Sequence, residues 1–174
     1  MKKYILSLLG VALLSSSIQA KEKIYVGAAL NIDTVETKTY DQDKMGGITL
    51  KAGYDFTEYM GVELRYSQSL FAETLLSLDS SVGLYAKPQY TVDEERKVYA
   101  LLGYAQTEVT ASDINKHSNQ SEFSYGLGFE YKVNKEYAIA IEALSLINKD
   151  TSSCALKANQ LNIGVVYTFG AKQK

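Results

Sequence analysis

Apolar and polar side chains alternate along most of the chain, which is the period of a β-strand rather than of a helix. The alternation recurs in eight stretches, most of them seven to nine residues long, which is close to the length of about ten residues of a tilted membrane-spanning strand. Within each stretch, residues of one parity are apolar. The eight predicted strands cover residues 24–32, 48–56, 62–66, 82–90, 98–104, 123–131, 137–143 and 161–169.

The opposite parity carries charged and small polar residues together with most of the glycine. Glycine weakens a strand unless another group must approach closely. On one face of successive strands it fits the inside of a narrow closed barrel, where missing side chains leave room for long Lys, Arg, Glu and Tyr side chains. The glycines of this face are Gly27, Gly47, Gly53, Gly61, Gly83, Gly103, Gly126, Gly128 and Gly164.

The connections between the predicted strands alternate in length. Short connections fall at residues 57–59, 91–96 and 132–135, and longer polar ones at residues 33–45, 71–77, 110–120 and 148–158. Short periplasmic turns and longer external loops are typical of a transmembrane barrel. The pattern predicts an all-β fold, an eight-stranded antiparallel up-and-down transmembrane β-barrel.

The direction of the apolar face separates two kinds of barrel. A soluble ligand-carrying barrel turns its apolar face inward, whereas a membrane barrel turns it toward lipid. Aromatic residues gather near strand ends on the apolar face, as an interfacial girdle requires, and this favours the membrane. They are Tyr54, Phe56, Tyr90, Tyr131, Tyr137, Tyr167 and Phe169.

The first twenty residues have the three parts of a secretory signal peptide. Lys2 and Lys3 form a basic start, residues 4–14 are mostly apolar, and residues 15–20 are mostly small or polar and end in Ala20. We predict cleavage after Ala20. The expected division is therefore a signal peptide at residues 1–20 and an outer-membrane barrel domain at residues 21–174, located in the cell outer membrane.

The composition of the chain excludes several other classes of protein. The chain has 174 residues, which suggests one domain, with one Cys, one His and a formal net charge of −2. These counts argue against a disulfide scaffold, against a site of clustered His and Cys ligands, and against a nucleic-acid partner, which requires a basic patch. Apart from the N-terminus, no apolar run approaches the roughly 20 residues of a spanning helix.

Four stretches carry a resemblance to a known family: residues 24–30 (IYVGAAL), 61–66 (GVELRY), 82–90 (VGLYAKPQY) and 165–169 (VVYTF). The chain resembles the small eight-stranded outer-membrane β-barrels of the OmpA-like and opacity-type (porin-like) superfamily. The resemblance implies contact with outer-membrane lipid and lipopolysaccharide, with the secretion and barrel-assembly machinery, and with host or cell-surface ligands through the loops. It also implies an assembly signal at Tyr167 and Phe169 and a monomer.

Charged residues on the glycine-bearing face predict a lumen polar network. Pairing two strands about the turn at Tyr59 sets Lys51 opposite Arg65, and it sets Gly53 opposite Glu63. Glu63 is then expected to reach both cations diagonally. Charges in so narrow a lumen must pair with one another or meet trapped water. The predicted members are Lys51, Glu63, Arg65, Lys87 and Glu142.

Candidate catalytic chemistry is sparse, and we predict no catalytic residue, no cofactor and no metal. His117 lies beside Asp113 and Ser118 in the third polar loop, where a solvated surface is favoured over the rigid geometry of a catalytic triad. It is also favoured over weak cation binding by His117 with Glu108 and Asp113. Cys154 falls in the fourth loop as an incidental small residue, with a free thiol or an intermolecular disulfide as alternatives. Pro88 removes one ladder hydrogen bond, and we expect a local bulge there.

The predicted function is a structural or surface-interaction role without catalysis: envelope integrity, adhesion, or shielding through the external loops. One alternative is a narrow porin for small solutes. The other is a lipid-modifying outer-membrane enzyme.

Overall fold

The structure is a computed structural model that describes residues 23–37, 43–71, 76–111, 116–151 and 154–170. The predicted signal peptide lies outside these residues. Eight antiparallel strands close into a barrel in chain order, and the last strand pairs with the first. This confirms the predicted fold. The strands are β1 (Lys23–Thr37), β2 (Asp43–Asp55), β3 (Met60–Phe71), β4 (Leu76–Thr91), β5 (Arg96–Ala111), β6 (Lys116–Lys132), β7 (Tyr137–Thr151) and β8 (Cys154–Thr168).

Most strands run well beyond their predicted ends, and always in the same direction along the barrel. The predicted loop at residues 110–120 consists largely of the paired ends of β5 and β6, and the loop at 148–158 consists largely of β7 and β8. The predicted strands were too short because alternation detects a strand only where one face is apolar and the other polar. Beyond the lipid-facing band this difference between the two faces ends, while the hydrogen-bonded pairing of the backbone continues.

Tight turns join the strands at the other end of the barrel, at residues 56–59, 92–95 and 133–136. Side chains bond the backbone within these turns: Asp93 Oδ1 accepts hydrogen bonds from the backbone N–H groups of Glu95 and Arg96. Asn134 Oδ1 accepts from those of Glu136 and Tyr137. We call this the turn end and the opposite one, where the strands are extended, the hairpin end.

The outer wall of the barrel is apolar and exposed. Leu64 is 53% exposed and Leu127 is 70% exposed. Leaving such side chains in water around a whole barrel would be unfavourable, so this surface is suited to hydrocarbon. Within the described residues, no helix is long and apolar enough to cross a membrane.

Aromatic side chains border the wall at both ends. At the turn end the ring centroids of Tyr137 and Tyr167 are 5.0 Å apart, and those of Tyr167 and Phe169 are 4.8 Å apart. Toward the hairpin end, Tyr104 and Phe123 lie 5.8 Å apart. These two borders match the aromatic girdles of membrane barrels.

The bulge expected at Pro88 is absent. The β4–β5 register is the same on both sides of it, with Ala86 opposite Leu102 and Gln89 opposite Tyr99. The backbone N–H of Gln89 bonds the carbonyl of Tyr59 on the β3 side, so the nitrogen of Pro88 faces β5. The β4–β5 pairing is therefore interrupted at Pro88, but neither strand contains an extra residue there.

Candidate functional site

The lumen is the candidate site, and Glu142 of β7 is the first of its buried charged centres. Its Oε1 accepts hydrogen bonds from Lys51 Nζ at 2.6 Å and Arg65 Nη2 at 2.5 Å. The Tyr99 hydroxyl donates to the same oxygen. Lys51 and Arg65 are direct cross-strand neighbours on β2 and β3, so one carboxylate from the opposite wall binds two adjacent cations.

Glu63 is a second centre beside the first. Its Oε1 accepts from Arg65 Nε at 2.5 Å, and its Oε2 accepts from the Tyr25 hydroxyl at 2.7 Å. Lys87 Nζ lies 3.7 Å from the same Oε2 and donates to the Tyr25 hydroxyl at 2.9 Å. We call the group formed by Lys51, Glu63, Arg65, Lys87 and Glu142 the ionic cluster; each member is 4% exposed or less.

Tyrosine rings complete the ionic cluster because glycine on the neighbouring strand leaves them room. Tyr25 lies opposite Gly53, and Tyr99 lies opposite Gly128. A Cβ at Gly53 would stand 2.1 Å from the Tyr25 ring, and one at Gly128 would stand 2.3 Å from the Tyr99 ring. Lys87 Nζ sits 4.1 Å and 4.5 Å from the centroids of these two rings, within cation–π range.

A smaller charged group lies nearer the turn end. Lys97 Nζ is 3.2 Å from Glu130 Oε1 and 3.7 Å from Asp55 Oδ2, and all three side chains are buried. They border a cavity of about 90 Å³ that Gln89 also lines.

Toward the hairpin end, the lumen holds a series of hydrogen bonds in which each residue donates to the next, instead of ion pairs. Thr49 Oγ1 donates to Asn162 Oδ1 at 2.9 Å, so its single proton is used and Ser67 must be the donor in the 2.8 Å contact with Thr49. Asn162 Nδ2 then donates to Gln160 Oε1, and Gln160 Nε2 donates to Asp33. Asn31 Nδ2 also donates to Asp33. These six residues form the polar chain.

Apolar side chains fill the lumen beyond the polar chain. The β7–β8 register shifts between Ser145 and Ile147, so Leu146 is an inserted residue and both Leu146 and Ile147 are buried. A β-bulge of this kind bends its strand and re-aims side chains. We call this group the apolar cap: Val35, Met45, Leu146, Ile147 and Ala158, none more than 3% exposed.

The five residues predicted for the lumen network lie in one cluster, but one expected contact is wrong. Lys51 bonds Glu142 rather than Glu63. Sequence reasoning also missed Tyr25 and Tyr99 as members. Their parity, shared with the lumen glycines, together with a glycine directly opposite each ring, is the signal that could have found them.

The other predicted positions lie elsewhere. Tyr167 and Phe169 belong to the aromatic border of the turn end. His117 lies in β6 opposite Thr110, and Cys154 begins β8 opposite Thr151; their side chains, and the whole of Asp113, fall outside the described part of the structure. Within that part, no three His, Cys, Asp or Glu residues are arranged to hold a metal ion.

The arrangement closes the lumen at successive levels: the ionic cluster, the polar chain and the apolar cap. A charge in so narrow a space is stabilised by its buried partners, and a solute would have to displace them to pass. The geometry is that of a packed polar core.

Comparisons with known proteins bear on the whole described barrel. A model of the family described as outer membrane protein beta-barrel domain matches residues 6–169. The search of curated proteins found no match.

Solved structures of similar fold include Ail, the attachment invasion locus protein of Yersinia pestis, with 20% identity and a TM-score of 0.63, covering 84% of this chain and 98% of that one. Neisserial surface protein A gives 18% identity and a TM-score of 0.66, covering 84% and 97%. OprG of Pseudomonas aeruginosa gives 17% identity and a TM-score of 0.55, covering 86% and 96%. At these identities the likeness concerns the fold alone.

Proposed function

The chain belongs to the outer membrane protein beta-barrel domain family, and we propose that it acts as a closed barrel with a structural or surface-interaction role. The observation that carries this proposal is the filling of the lumen. Arg65 is shared between Glu63 and Glu142, and the apolar cap lies toward the hairpin end, which supports a closed barrel over a solute path or an open catalytic cleft through the described residues.

Orientation follows from the two ends. We propose that residues 1–20 direct export and are cleaved after Ala20, that the turn end faces the periplasm, and that the hairpin end faces outward. The lengths of the strands support this orientation, because β5–β6 continues as a paired hairpin to Ala111 and Lys116, as the external side of a membrane barrel does.

The proposed role at the surface is carried by these hairpins. They would supply adhesion, shielding or envelope integrity. The name of Ail describes attachment for that protein, which makes attachment a reasonable first assay for this chain. The lumen contributes by holding the strands in register, so the hairpins project from a rigid base.

Conductance in planar bilayers tests the closed lumen. Purified, refolded protein should produce no steady single-channel current, and a unitary current of constant size would contradict the proposal and favour the narrow porin. Correct folding is checked first by electrophoresis without heating, because a closed barrel with paired backbone groups should resist SDS until boiled.

Surface labelling tests the orientation. In a Cys154→Ser parent, cysteine placed at Asn119 should react with an impermeant maleimide on intact cells. Cysteine placed at Asn134, in the turn at residues 133–136, should react only after the outer membrane is opened. The reverse pattern would invert the proposed orientation.

A further inference from the structure

One sector of the outer wall changes from apolar to polar within a single step of the register. A row of outward-facing residues crosses five strands from β6 to β2, and each member is the cross-strand partner of the next. The row is Tyr125, Ser145, Asn159, Thr34 and Lys44. The neighbouring outward row toward the turn end is Leu127, Ala143, Leu161 and Ile32.

The two rows line a groove of about 670 Å³ on the outer wall, a volume within the roughly 300–1,000 Å³ of small-molecule sites. Ala143 is the small residue at its centre, between Leu127 and Leu161, which stand opposite it on the adjoining strands and are both exposed. The apolar row borders one end of the groove, and Ser145, Asn159, Thr34 and Lys44 border the other.

The β6–β7 ladder ends at the groove. Its last pair toward the hairpin end is Tyr125 with Ser145, although both strands continue further within the described residues. The Ser124 hydroxyl donates to the carbonyl oxygen of Ser145 at 2.8 Å, and the bulge at Leu146 starts at the next residue of β7. The two strands therefore part where the wall becomes polar, which leaves the groove open toward the membrane surface.

The chemistry of the groove fits one kind of occupant. Its apolar end suits a hydrocarbon chain, and its polar end offers hydroxyl and amide groups together with the exposed ammonium of Lys44. Lys157 also faces outward nearby, but it does not line the groove, so we assign the headgroup contact to Lys44 alone.

We propose that this groove is a preferential site for an anionic phosphate-bearing membrane lipid, with one acyl chain against Ala143 and the phosphate at Lys44. The rest of the outer wall would contact lipid without this preference. The site is independent of the closed lumen, so either proposal can fail without the other.

The chain contains no Trp, so a single introduced Trp reports on lipid locally. Leu127→Trp places the reporter beside the groove. Leu84→Trp is the matched control, because Leu84 is also exposed on the wall but lies on β4, in the register row of Leu64 and Tyr104. Both variants are refolded into phosphatidylcholine vesicles containing phosphatidylglycerol with brominated chains, which quench Trp fluorescence on contact.

Trp at position 127 should be half-quenched at about a fivefold lower fraction of brominated phosphatidylglycerol than Trp at 84, the preference expected from one Lys near an anionic headgroup. Lys44→Gln should remove this difference, and Ala143→Phe, which fills the groove, should remove it as well. Ala86→Phe on the exposed β4 wall is the bulk control and should leave it unchanged.

Equal quenching of the two reporters by brominated phosphatidylglycerol would overturn the site. A preference at position 127 that is equally large for brominated phosphatidylcholine, or that survives Lys44→Gln, would overturn the assignment of an anionic lipid. Each variant must first show the unheated, SDS-resistant band of the parent, so that loss of the barrel is not taken for loss of lipid.

Discussion

The two halves of the lumen are held together by different kinds of interaction. Near the turn end, Glu142 and Glu63 each gather several donors around one carboxylate. Toward the hairpin end, hydrogen bonds run in one direction from Ser67 to Asp33, and apolar side chains cover them. Shared carboxylates lock strands on opposite walls together, whereas the polar chain tolerates local loss, because each of its bonds is worth less.

This contrast predicts the largest effect at Glu142. Glu142→Ala would leave Lys51 and Arg65 adjacent and buried, and would leave the Tyr99 hydroxyl without its acceptor. Stranding a buried charge costs about 3–5 kcal/mol of unfolding free energy. Urea titration in lipid vesicles measures it.

The control for that experiment is Glu136→Ala, in an exposed turn, which should change the unfolding free energy by about 0.5 kcal/mol or less. Equal stability of Glu142→Ala and the parent would show that water, rather than Glu142, satisfies the two cations.

Arg65→Ala should be the next most damaging change, at about 3 kcal/mol, the lower end of the range for breaking a buried pair. The loss is smaller because each carboxylate keeps other donors: Glu63 retains Tyr25, and Glu142 retains Lys51. Urea unfolding of the double variant Arg65→Ala with Glu142→Ala should cost less than the sum of the single changes, since both remove the same contact. Additive costs would contradict the shared contact.

Leu64, the residue next to Arg65 in β3, provides the corresponding test of the outer wall. Leu64→Arg moves a charge into hydrocarbon and should cost about 2–4 kcal/mol near the bilayer midplane. If Arg65→Ala were neutral in the same urea series while Leu64→Arg were also tolerated, the faces would be assigned the wrong way round.

Much of the half near the turn end could be predicted from sequence, because short turns fix the register. Three residues at positions 57–59 are enough to place Lys51 opposite Arg65, and the structure has that pair. The partner of Lys51 could not be found in this way. The residue of β7 that faces β2 across the lumen is set by the stagger of the strands, which accumulates around the whole barrel. A local sequence pattern does not reveal this stagger.

The half near the hairpin end was largely hidden from sequence reasoning. Val35 lies inside a segment predicted as a loop and Met45 at its end, yet both sit in strands with buried side chains. Leu146 was hidden by its bulge, because an inserted residue breaks the alternation on which the prediction rests. Even the eight strands were recognised only over the part of each that faces lipid.

The smallest effect should come from the polar chain, where Thr49 makes two hydrogen bonds and Ser67 makes one. Thr49 is both acceptor and donor, so Thr49→Val leaves the Ser67 hydroxyl without its acceptor and Asn162 Oδ1 without its donor. We expect a cost of about 1–2 kcal/mol in urea unfolding, since neutral groups that lose a partner when buried cost about that much. Ser67→Ala removes only the first donor of the chain and should cost less. If Ser67→Ala were the more damaging change, Ser67 would have an important partner besides Thr49, and its assigned place at the start of the polar chain would be wrong. The expected order follows from the number of hydrogen bonds lost, because Thr49 makes two bonds of the polar chain and Ser67 makes one.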